Sequence, residues 1–472
     1  MKNVIFIMCD QLRLDALGLY GNNVCKTPNI DALFSRGTVF DDMFTTYPAC
    51  APNRCAIATG KWPKVNGMVG NGYILSESET TMMDVFQRNG YTTYGIGKMH
   101  FAPQWEHDMD DSGKGAINPQ PDSLPWHGFD QCRITEDNRI GPYADYLVEH
   151  GLDPWEDVHS FSYGKQHTTQ TSPYPEEHHQ TTWTTDRSID FLKQHDRNNP
   201  FFMWVSYVDP HHPFNPPAPY DTMYKPEDMP VPVYREGEHD NRPFKFMEKF
   251  KGLMVNHEQV DLSGFSDRDW QKIIAYYYGM ITLVDKNIGR IVSHLKETGQ
   301  FEETIFVFTT DHGEILGDHH LLFKNFPFDP VTRVPFMVRR PDDDVQRRES
   351  TLCRSMDIMP TLLDLAGVPF DKKLNGCSLL PYIDSDSVPD LFEDILIEHS
   401  AHQTIRSKKY RLTVYHNDAC GELYDLEKDP DNLFNLWDCQ QYQQVKNELI
   451  GRLVGKLYRE TVDPEFAQAG LC

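Results

Sequence analysis

The segment at 45–60, TTYPACAPNRCAIATG, places Cys50 at what looks like the start of a helix, with Arg54 one turn later. The free N–H groups and positive dipole end of a helix N-terminus suit an anion, and they lower the pKa of a thiol. Arg54 would lie on the same face as Cys50. The pattern therefore indicates an anion site. A small buried side chain is the simpler interpretation of a free cysteine, and we adopt it for Cys55.

Two other segments could supply ligands for a metal ion. Asp10 and Gln11 come just after the apolar run NVIFIM, and Asp311 and His312 follow TIFVFTT. This oxygen-rich set suits one Ca²⁺, Mg²⁺ or Mn²⁺ ion better than zinc. For Asp311 and His312 taken alone, capping of a following helix is a competing interpretation.

Four basic side chains could bind a tetrahedral anion. Lys98 and His100 follow the run TTYGIG, His211 follows FFMWVSYV, and Lys324 comes later in the chain. Such groups could stabilise charge on the oxygens of the anion, and a metal ion would add to this as a Lewis acid. Each of them alone would more simply be a surface residue. Polar residues that recur after four apolar runs indicate a site.

The apolar runs also predict the scaffold that brings these residues together. They alternate with helical patterns such as 273–298 and 355–367, which indicates an α/β fold with a large, mostly parallel central sheet flanked by helices. In such sheets ligands bind beyond the carboxyl ends of the strands. After about residue 375, short strands and a helical run near 443–460 predict a smaller antiparallel sheet plus helix. We predict two domains, 1–374 and 375–472.

The composition argues against several functions. The 45 basic and 70 acidic residues give a formal net charge of −25, which makes nucleic acid an improbable partner and requires a local positive cluster for any anionic substrate. The ten cysteines show no paired CxxC spacing, so no zinc ribbon is indicated. The apolar run at 4–8 is too short for a signal peptide or a membrane span. We expect a soluble, cytoplasmic protein without a membrane partner, although removal of a signal peptide would leave the same sequence.

Taken together, these residues resemble those of type I sulfatases in the alkaline phosphatase superfamily. The resemblance covers most of the chain. It rests on Asp10-Gln11, TPNIDALFSRGTVF at 27–40, CAPNR at 50–54, GKMH at 97–100, PHHPF at 210–214, TTDHGEILGDHHLLFK at 309–324, RVPFMV at 333–338 and ELYDLEKDPDNLFNL at 422–436. The motif C-x-P-x-R is a weak signal alone, but it is a strong one in this order and with these partners.

The resemblance implies that Cys50 is converted to formylglycine, an aldehyde, by a formylglycine-generating enzyme. The aldehyde hydrates to a diol, one oxygen of which binds the metal and attacks sulfur. The second hydroxyl then allows the sulfated intermediate to collapse by elimination, whereas an ordinary serine would be left as a stable ester.

The resemblance also implies roles for the individual residues. The implied metal ligands are Asp10, Gln11, Cys50, Asp311 and His312. The implied substrate-binding residues are Lys98, His211, Lys324 and Asn71. His211 or Lys324 protonates the leaving alcohol as general acid, Arg54 orients the diol, and His100 contacts it.

The chain departs from the family pattern at two positions. Asn53 stands at the fourth motif position, where Ser, Cys, Ala or Thr is usual. The resemblance implies that the maturation enzyme mainly needs the Cys, Pro and Arg of the motif, so we expect Cys50 to be modified. Gln11 stands where many relatives have a second aspartate. The metal site therefore has one negative charge fewer, and we predict one divalent ion, calcium first, with manganese or magnesium as alternatives. The Asp-Gln pair and GDHHLLFK are also similar to phosphonate monoester and phosphodiester hydrolases.

These observations lead to a first hypothesis and several alternatives. The first is a sulfatase that acts on a sulfate monoester of a carbohydrate or of a small alkyl or aryl alcohol. The second is a phosphonate monoester or phosphodiester hydrolase, against which the Lys98-x-His100 pair counts. A two-zinc alkaline phosphatase and a non-catalytic anion or glycan binder fit less well. We expect the segments at 101–180 and 208–245 to shape the pocket. The tryptophans in or next to these segments could stack on sugars or be core: Trp105, Trp126, Trp155 and Trp183.

Overall fold

The computed structural model describes residues 1–102, 126–137, 139, 141–154, 156, 169–243, 253–255, 258–260, 262–385, 388–416 and 418–462. The strands are β1 Asn3–Cys9, β2 Gly37–Phe40, β3 Met43–Phe44, β4 Thr92–Gly97, β5 Gln131–Ile134, β6 Phe201–Ser206, β7 Leu253–Val255, β8 Glu258–Val260, β9 Thr304–Thr310, β10 Phe336–Arg339, β11 Gln346–Glu349, β12 Cys353–Arg354, β13 Asp394–Glu398, β14 His402–Ser407, β15 Tyr410–Tyr415 and β16 Gly421–Asp425. The α-helices are α1 Pro28–Leu33, α2 Cys50–Thr59, α3 Pro63–Asn66, α4 Met82–Arg88, α5 Pro142–Glu149, α6 Gln180–Gln194, α7 Asp267–Glu297, α8 Asp329–Thr332, α9 Ile358–Ala366, α10 Leu380–Asp384 and α11 Gln443–Arg459.

The central sheet has eight strands in the order β11-β2-β10-β9-β1-β6-β4-β5. β1 pairs in parallel with β6 and β9, and β4 pairs in parallel with β5 and β6, whereas β10 is antiparallel to both its neighbours. All residues of β1, β6 and β9 are buried, as expected for parallel strands covered on both faces. The predicted α/β fold is confirmed.

Helices cover both faces of this sheet. α7 supplies much of the apolar core on one face, and α2, α4 and α9 pack on the other. The sequence pattern predicts a helix over 273–298, but α7 begins earlier, because Ser266 forms a capping box with Asp269. In the part of the chain that the structure describes, no helix combines the length and apolarity needed to cross a bilayer.

The C-terminal part forms a separate antiparallel sheet in the order β13-β14-β15-β16, against which α11 packs Leu449 and Leu453. This confirms the predicted small antiparallel sheet plus helix. The boundary between 374 and 375 stays a prediction. Among the four tryptophans, Trp183 is buried in a core with Tyr143 and Tyr174, which supports its interpretation as core. Trp126 is partly buried, and Trp105 and Trp155 lie outside the described residues.

A buried acid at the end of β13 makes the stability of the fold depend on pH. Burial raises the pKa of Glu398 from 4.5 to about 7, only partly offset by the backbone N–H of Lys64, 3.4 Å from Glu398 Oε2. Because this carboxyl has a higher pKa in the folded protein than in the unfolded chain, its contribution to the free energy of unfolding is fully present below pH 4.5. That contribution is lost as the pH rises through about 7, the pKa in the folded protein.

We therefore expect Glu398→Gln to stabilise the protein at pH 8 by roughly 2–3 kcal/mol, because the amide carries no charge to bury. The gain should shrink between pH 7 and pH 4.5 and vanish below that. Urea unfolding across this range, with Glu393→Gln as a control at the exposed neighbouring acid, measures the effect. A gain that did not vary with pH would contradict this origin.

Candidate active site

Cys50 is the first residue of α2, and its side chain is buried. The residue before it, Ala49, provides no side-chain cap, and the N–H of Ala51 instead donates to Asn71 Oδ1 at 3.2 Å. The predicted helix start at Cys50 is thus observed, and Asn71 lies at its N-terminus. A polar side chain from another segment fixes the helix end that carries Cys50.

The Cys50 thiol lies among charged groups from four chain segments. Its Sγ is 2.8 Å from Lys324 Nζ, 3.2 Å from His312 Nε2, 3.7 Å from Asp10 Oδ1 and 3.9 Å from Lys98 Nζ. Burial and the Asp10 carboxylate raise the pKa of Cys50 to about 12, despite the nearby lysines. The expected lowering of this thiol pKa by the helix N-terminus is therefore not observed.

The ligand atoms of Asp10, Cys50, Asp311 and His312 all lie within 4.8 Å of one another, and all four side chains are buried. His312 Nδ1 donates to the carbonyl of Gly313 at 2.9 Å, which leaves Nε2 free to act as a ligand. Gln11 adds a buried Oε1 that has no hydrogen-bond partner. This orphaned oxygen, two carboxylates and an imidazole fit a divalent cation.

Arg54 connects the two carboxylates of this cluster. Its Nε donates to Asp311 Oδ2 at 2.7 Å, and Nη2 lies 3.3 Å from Asp10 Oδ2. Nη1 donates to Ser206 Oγ at 2.8 Å and to the carbonyl of Lys98 at 2.7 Å. The guanidinium is fully buried, so it fixes the orientation of both acids and compensates their charge.

Asn53, the unusual motif residue, is part of the same framework. Its Nδ2 donates to the carbonyl of Asp311 at 2.5 Å, and its Oδ1 accepts from Ser355 Oγ at 2.5 Å and from the N–H of Thr46 at 3.0 Å. Asn53 thus joins the Cys50 helix to the strand end that carries Asp311. An amide suits position 53 because this side chain donates one hydrogen bond and accepts two.

Two lysines approach Cys50 from different sides. Lys98 Nζ lies 2.6 Å from Asp10 Oδ2 and also pairs with Asp137. Lys324 Nζ donates to His211 Nε2 at 2.9 Å. Burial opposes the charge on each lysine, but the neighbouring acids outweigh it for Lys98, and Cys50 and Asp10 do so for Lys324, so both pKa values are raised. Both lysines are charged at neutral pH.

His211 and His100, the two predicted histidines outside the metal-ligand set, are neutral. Burial and Lys324 lower the pKa of His211 well below its usual range, and its Nδ1 donates to the carbonyl of His212 at 2.6 Å. Burial and Lys98 likewise lower the pKa of His100. The backbone N–H of His100 donates to Glu136 Oε1 at 2.8 Å, and the buried ring Nδ1 has no hydrogen-bond partner among the described residues. Among the described hydrogen bonds, none joins His100 to Cys50.

Several residues of this site escape prediction from the sequence. Glu136 and Asp137 follow β5, a short strand whose alternating exposure leaves no clear apolar run. Asp137 pairs with Lys98, and its Oδ2 lies 3.7 Å from His211 Nε2. Glu314 lies inside the motif TTDHGE, but no local pattern indicates a role for it. The sequence feature that could have revealed Glu136 and Asp137 is the one that revealed Asp10 and Asp311, namely acidic residues just after a strand.

Two family models match the chain. The model described as Sulfatase matches residues 2–368, and the model described as N-sulphoglucosamine sulphohydrolase, C-terminal, matches residues 317–458. The chain belongs to the sulfatase family. The predicted family, and with it the predicted enzyme class of sulfuric ester hydrolase, is confirmed.

Individual relatives agree with this assignment. The sulfatase is 31% identical over 495 residues to an arylsulfatase of Clostridium perfringens, with 96% of this chain and 95% of the relative covered. It is 25% identical over 529 residues to an N-acetylglucosamine-6-O-sulfatase of Bacteroides thetaiotaomicron, with coverage of 98% and 88%.

A solved phosphonate monoester hydrolase of Agrobacterium radiobacter is similar in structure, with a TM-score of 0.86, 25% identity and coverage of 100% and 98%. This similarity fits the alternative activity considered above, but the sulfatase assignment has the better support. Family membership implies a metal and a formylglycine, and the four-residue cluster at Cys50 is a possible metal site.

Proposed function

We propose that this sulfatase hydrolyses sulfate monoesters, carbohydrate sulfates in particular, through a formylglycine made from Cys50 and one divalent cation. The observation that supports this most is the surroundings of Cys50 Sγ, where the candidate metal ligands Asp10 and His312 and the amine of Lys324 all lie within 4 Å.

The cation would be held by Asp10, Gln11, Asp311, His312 and residue 50, with calcium our first choice and manganese or magnesium as alternatives. It would supply Lewis acidity at the sulfate, and the hydrated aldehyde would supply the attacking oxygen. Arg54 keeps the two aspartates oriented when their charges are shared with the cation.

The charges of the site explain why a cation is needed for anion binding. Arg54, Lys98 and Lys324 are balanced by three carboxylates, Asp10, Asp311 and Asp137. These protein groups alone therefore give no positive surplus for a sulfate ester. A bound divalent cation would provide that surplus in a chain whose net charge is −25.

Lys324 and His211 form the proton-donating pair of the proposal. Lys324 is charged and donates to the unprotonated Nε2 of neutral His211 at 2.9 Å. A leaving oxygen placed beside this pair can take its proton from Lys324, directly or through His211. Lys98 and Asn71 would hold the remaining sulfate oxygens, and His100 would assist collapse of the intermediate.

A carbohydrate leaving group is supported by the name of one relative, the N-acetylglucosamine-6-O-sulfatase of Bacteroides thetaiotaomicron. The cavity beside Asp137 and His211 has a volume of about 20 Å³, which is too small for a sugar ring, so it gives no support of its own. We also propose a formylglycine-generating enzyme as maturation partner. The cytoplasmic location stays a prediction.

Substrates that share the 4-nitrophenol leaving group and differ in the esterified acid test the choice between sulfate and phosphorus esters. We expect kcat/KM for 4-nitrophenyl sulfate to exceed that for 4-nitrophenyl phenylphosphonate and bis(4-nitrophenyl) phosphate by at least about tenfold, equivalent to about 1.4 kcal/mol. The same matured, metal-loaded preparation is used throughout. A higher value for either phosphorus ester would favour the phosphonate and phosphodiester hydrolase alternative.

A further inference from the structure

Gln11 is held in place by contacts on its backbone and on its side chain. Its N–H donates to Asp311 Oδ1 at 3.1 Å, and its carbonyl accepts from Tyr277 at 2.6 Å. The backbone has a φ of 64°, in the left-handed region that a non-glycine residue occupies only under constraint. With the backbone fixed, the amide can still take two orientations, which differ by exchange of Oε1 and Nε2.

The carboxyl group of Glu314 decides between these orientations. Gln11 Nε2 donates to Glu314 Oε2, and it lies 3.2 Å from His212 Nδ1. The NH₂ group of the amide therefore faces Glu314. Gln11 Oε1, on the other side of the amide, is the buried oxygen without a hydrogen-bond partner.

Glu314 is itself fixed by the loop that follows it. Its Oε1 accepts from the N–H of Leu316 at 3.1 Å and from the N–H of Phe323. Both Gln11 and Glu314 are fully buried. One carboxyl oxygen therefore holds the loop, and among the hydrogen bonds of the described residues the other accepts only from Gln11.

We propose that Glu314 is a positioning residue that sets the amide orientation of Gln11 and so makes Gln11 Oε1 a ligand of the metal ion. Position 11 thus has an amide instead of a carboxylate, and the carboxyl group of Glu314 lies directly behind that amide. Groups behind the direct ligands typically alter metal affinity by 10- to 100-fold. The inference rests on the proposed metal site.

The variant Glu314→Gln tests the orientation of the Gln11 amide, because it leaves the volume of the side chain at position 314 nearly unchanged. The two loop N–H groups need an oxygen, so the new NH₂ would face Gln11. Gln11 would then turn its own Oε1 towards Gln at 314 and its NH₂ towards the metal, and an NH₂ group cannot bind a cation. The exchanged pair Gln11→Glu with Glu314→Gln removes this conflict, because a carboxylate at 11 has an oxygen on both sides.

The test is calorimetric titration of the matured, chelator-treated full chain with CaCl₂, and separately with MnCl₂, without substrate. We expect Glu314→Gln to bind about 10- to 100-fold more weakly than the wild type, and the exchanged pair to recover most of the loss. Glu398→Gln, the same substitution at another buried glutamate, should leave the affinity unchanged.

Affinity of Glu314→Gln equal to that of the wild type, or no recovery in the exchanged pair, would overturn the inference. Should Glu314→Gln not fold, a crystal structure of the calcium-loaded wild type decides. Gln11 Oε1 on the metal and Nε2 on Glu314 support the inference, and the reverse orientation overturns it. A wild type that binds neither ion would overturn the proposed metal site as well, whereas sulfate hydrolysis is not part of the measurement.

Discussion

Cys50→Ala is expected to abolish sulfate ester hydrolysis, with a fall in kcat of at least about 10⁴-fold, because removal of a covalent nucleophile leaves only binding and charge stabilisation. The thiol lies within 4 Å of candidate metal ligands and of Lys324, so its loss also removes a proposed metal ligand. Initial rates on 4-nitrophenyl sulfate measure the effect.

The matched control is Cys55→Ala, five residues later in the same helix. Cys55 is fully buried in the apolar core behind the site, and its substitution should affect stability while leaving turnover within a few-fold of the wild type. Substantial activity in Cys50→Ala would show that residue 50 is not the nucleophile.

Cys50→Ser separates a formylglycine from an ordinary hydroxyl nucleophile. A serine oxygen could attack sulfur, but the sulfated serine has no second hydroxyl with which to expel sulfate. We expect at most one turnover per chain and a stable sulfate ester on the peptide, visible by mass spectrometry. Sustained turnover by this variant would contradict the elimination step.

Lys324→Ala is expected to lower kcat/KM by about 10²- to 10⁴-fold on an alkyl sulfate, because Lys324 is the charged partner of both Cys50 and His211. Protonation matters most for a poor leaving group. The loss should therefore be clearly smaller on 4-nitrophenyl sulfate, whose leaving group needs little protonation. His211→Ala should show the same dependence on the leaving group.

Lys286→Ala is a suitable control for this prediction. Lys286 is half-exposed, pairs with Glu176 on the surface, and its substitution should be neutral in both assays. Equal losses on both substrates in Lys324→Ala would indicate that Lys324 binds sulfate without donating a proton.

The strands that carry the site are predictable from the sequence because their apolar runs are long and uninterrupted. β1, β4, β6 and β9 are neighbours in one parallel block, so the polar residues after them meet at one edge. That is why Asp10, Lys98, His211 and Asp311 can be grouped from their positions along the chain alone.

Other parts of the site depend on contacts between residues distant in the chain, which no local pattern contains. The pairing of Lys98 with Asp137 depends on where the short strand β5 docks. The orientation of Gln11 depends on Glu314, 303 residues away. The raised pKa of Cys50 likewise depends on the depth of its burial, which outweighs the effect of the nearby Lys324 and Lys98.

The most direct test of the proposal is the mass of the tryptic peptide that spans residues 37–54, from protein produced together with a formylglycine-generating enzyme. We predict the mass of an aldehyde at residue 50, in a fraction that rises in proportion to the specific activity on a sulfate ester across preparations. An intact thiol at residue 50 in fully active protein would contradict the proposed nucleophile.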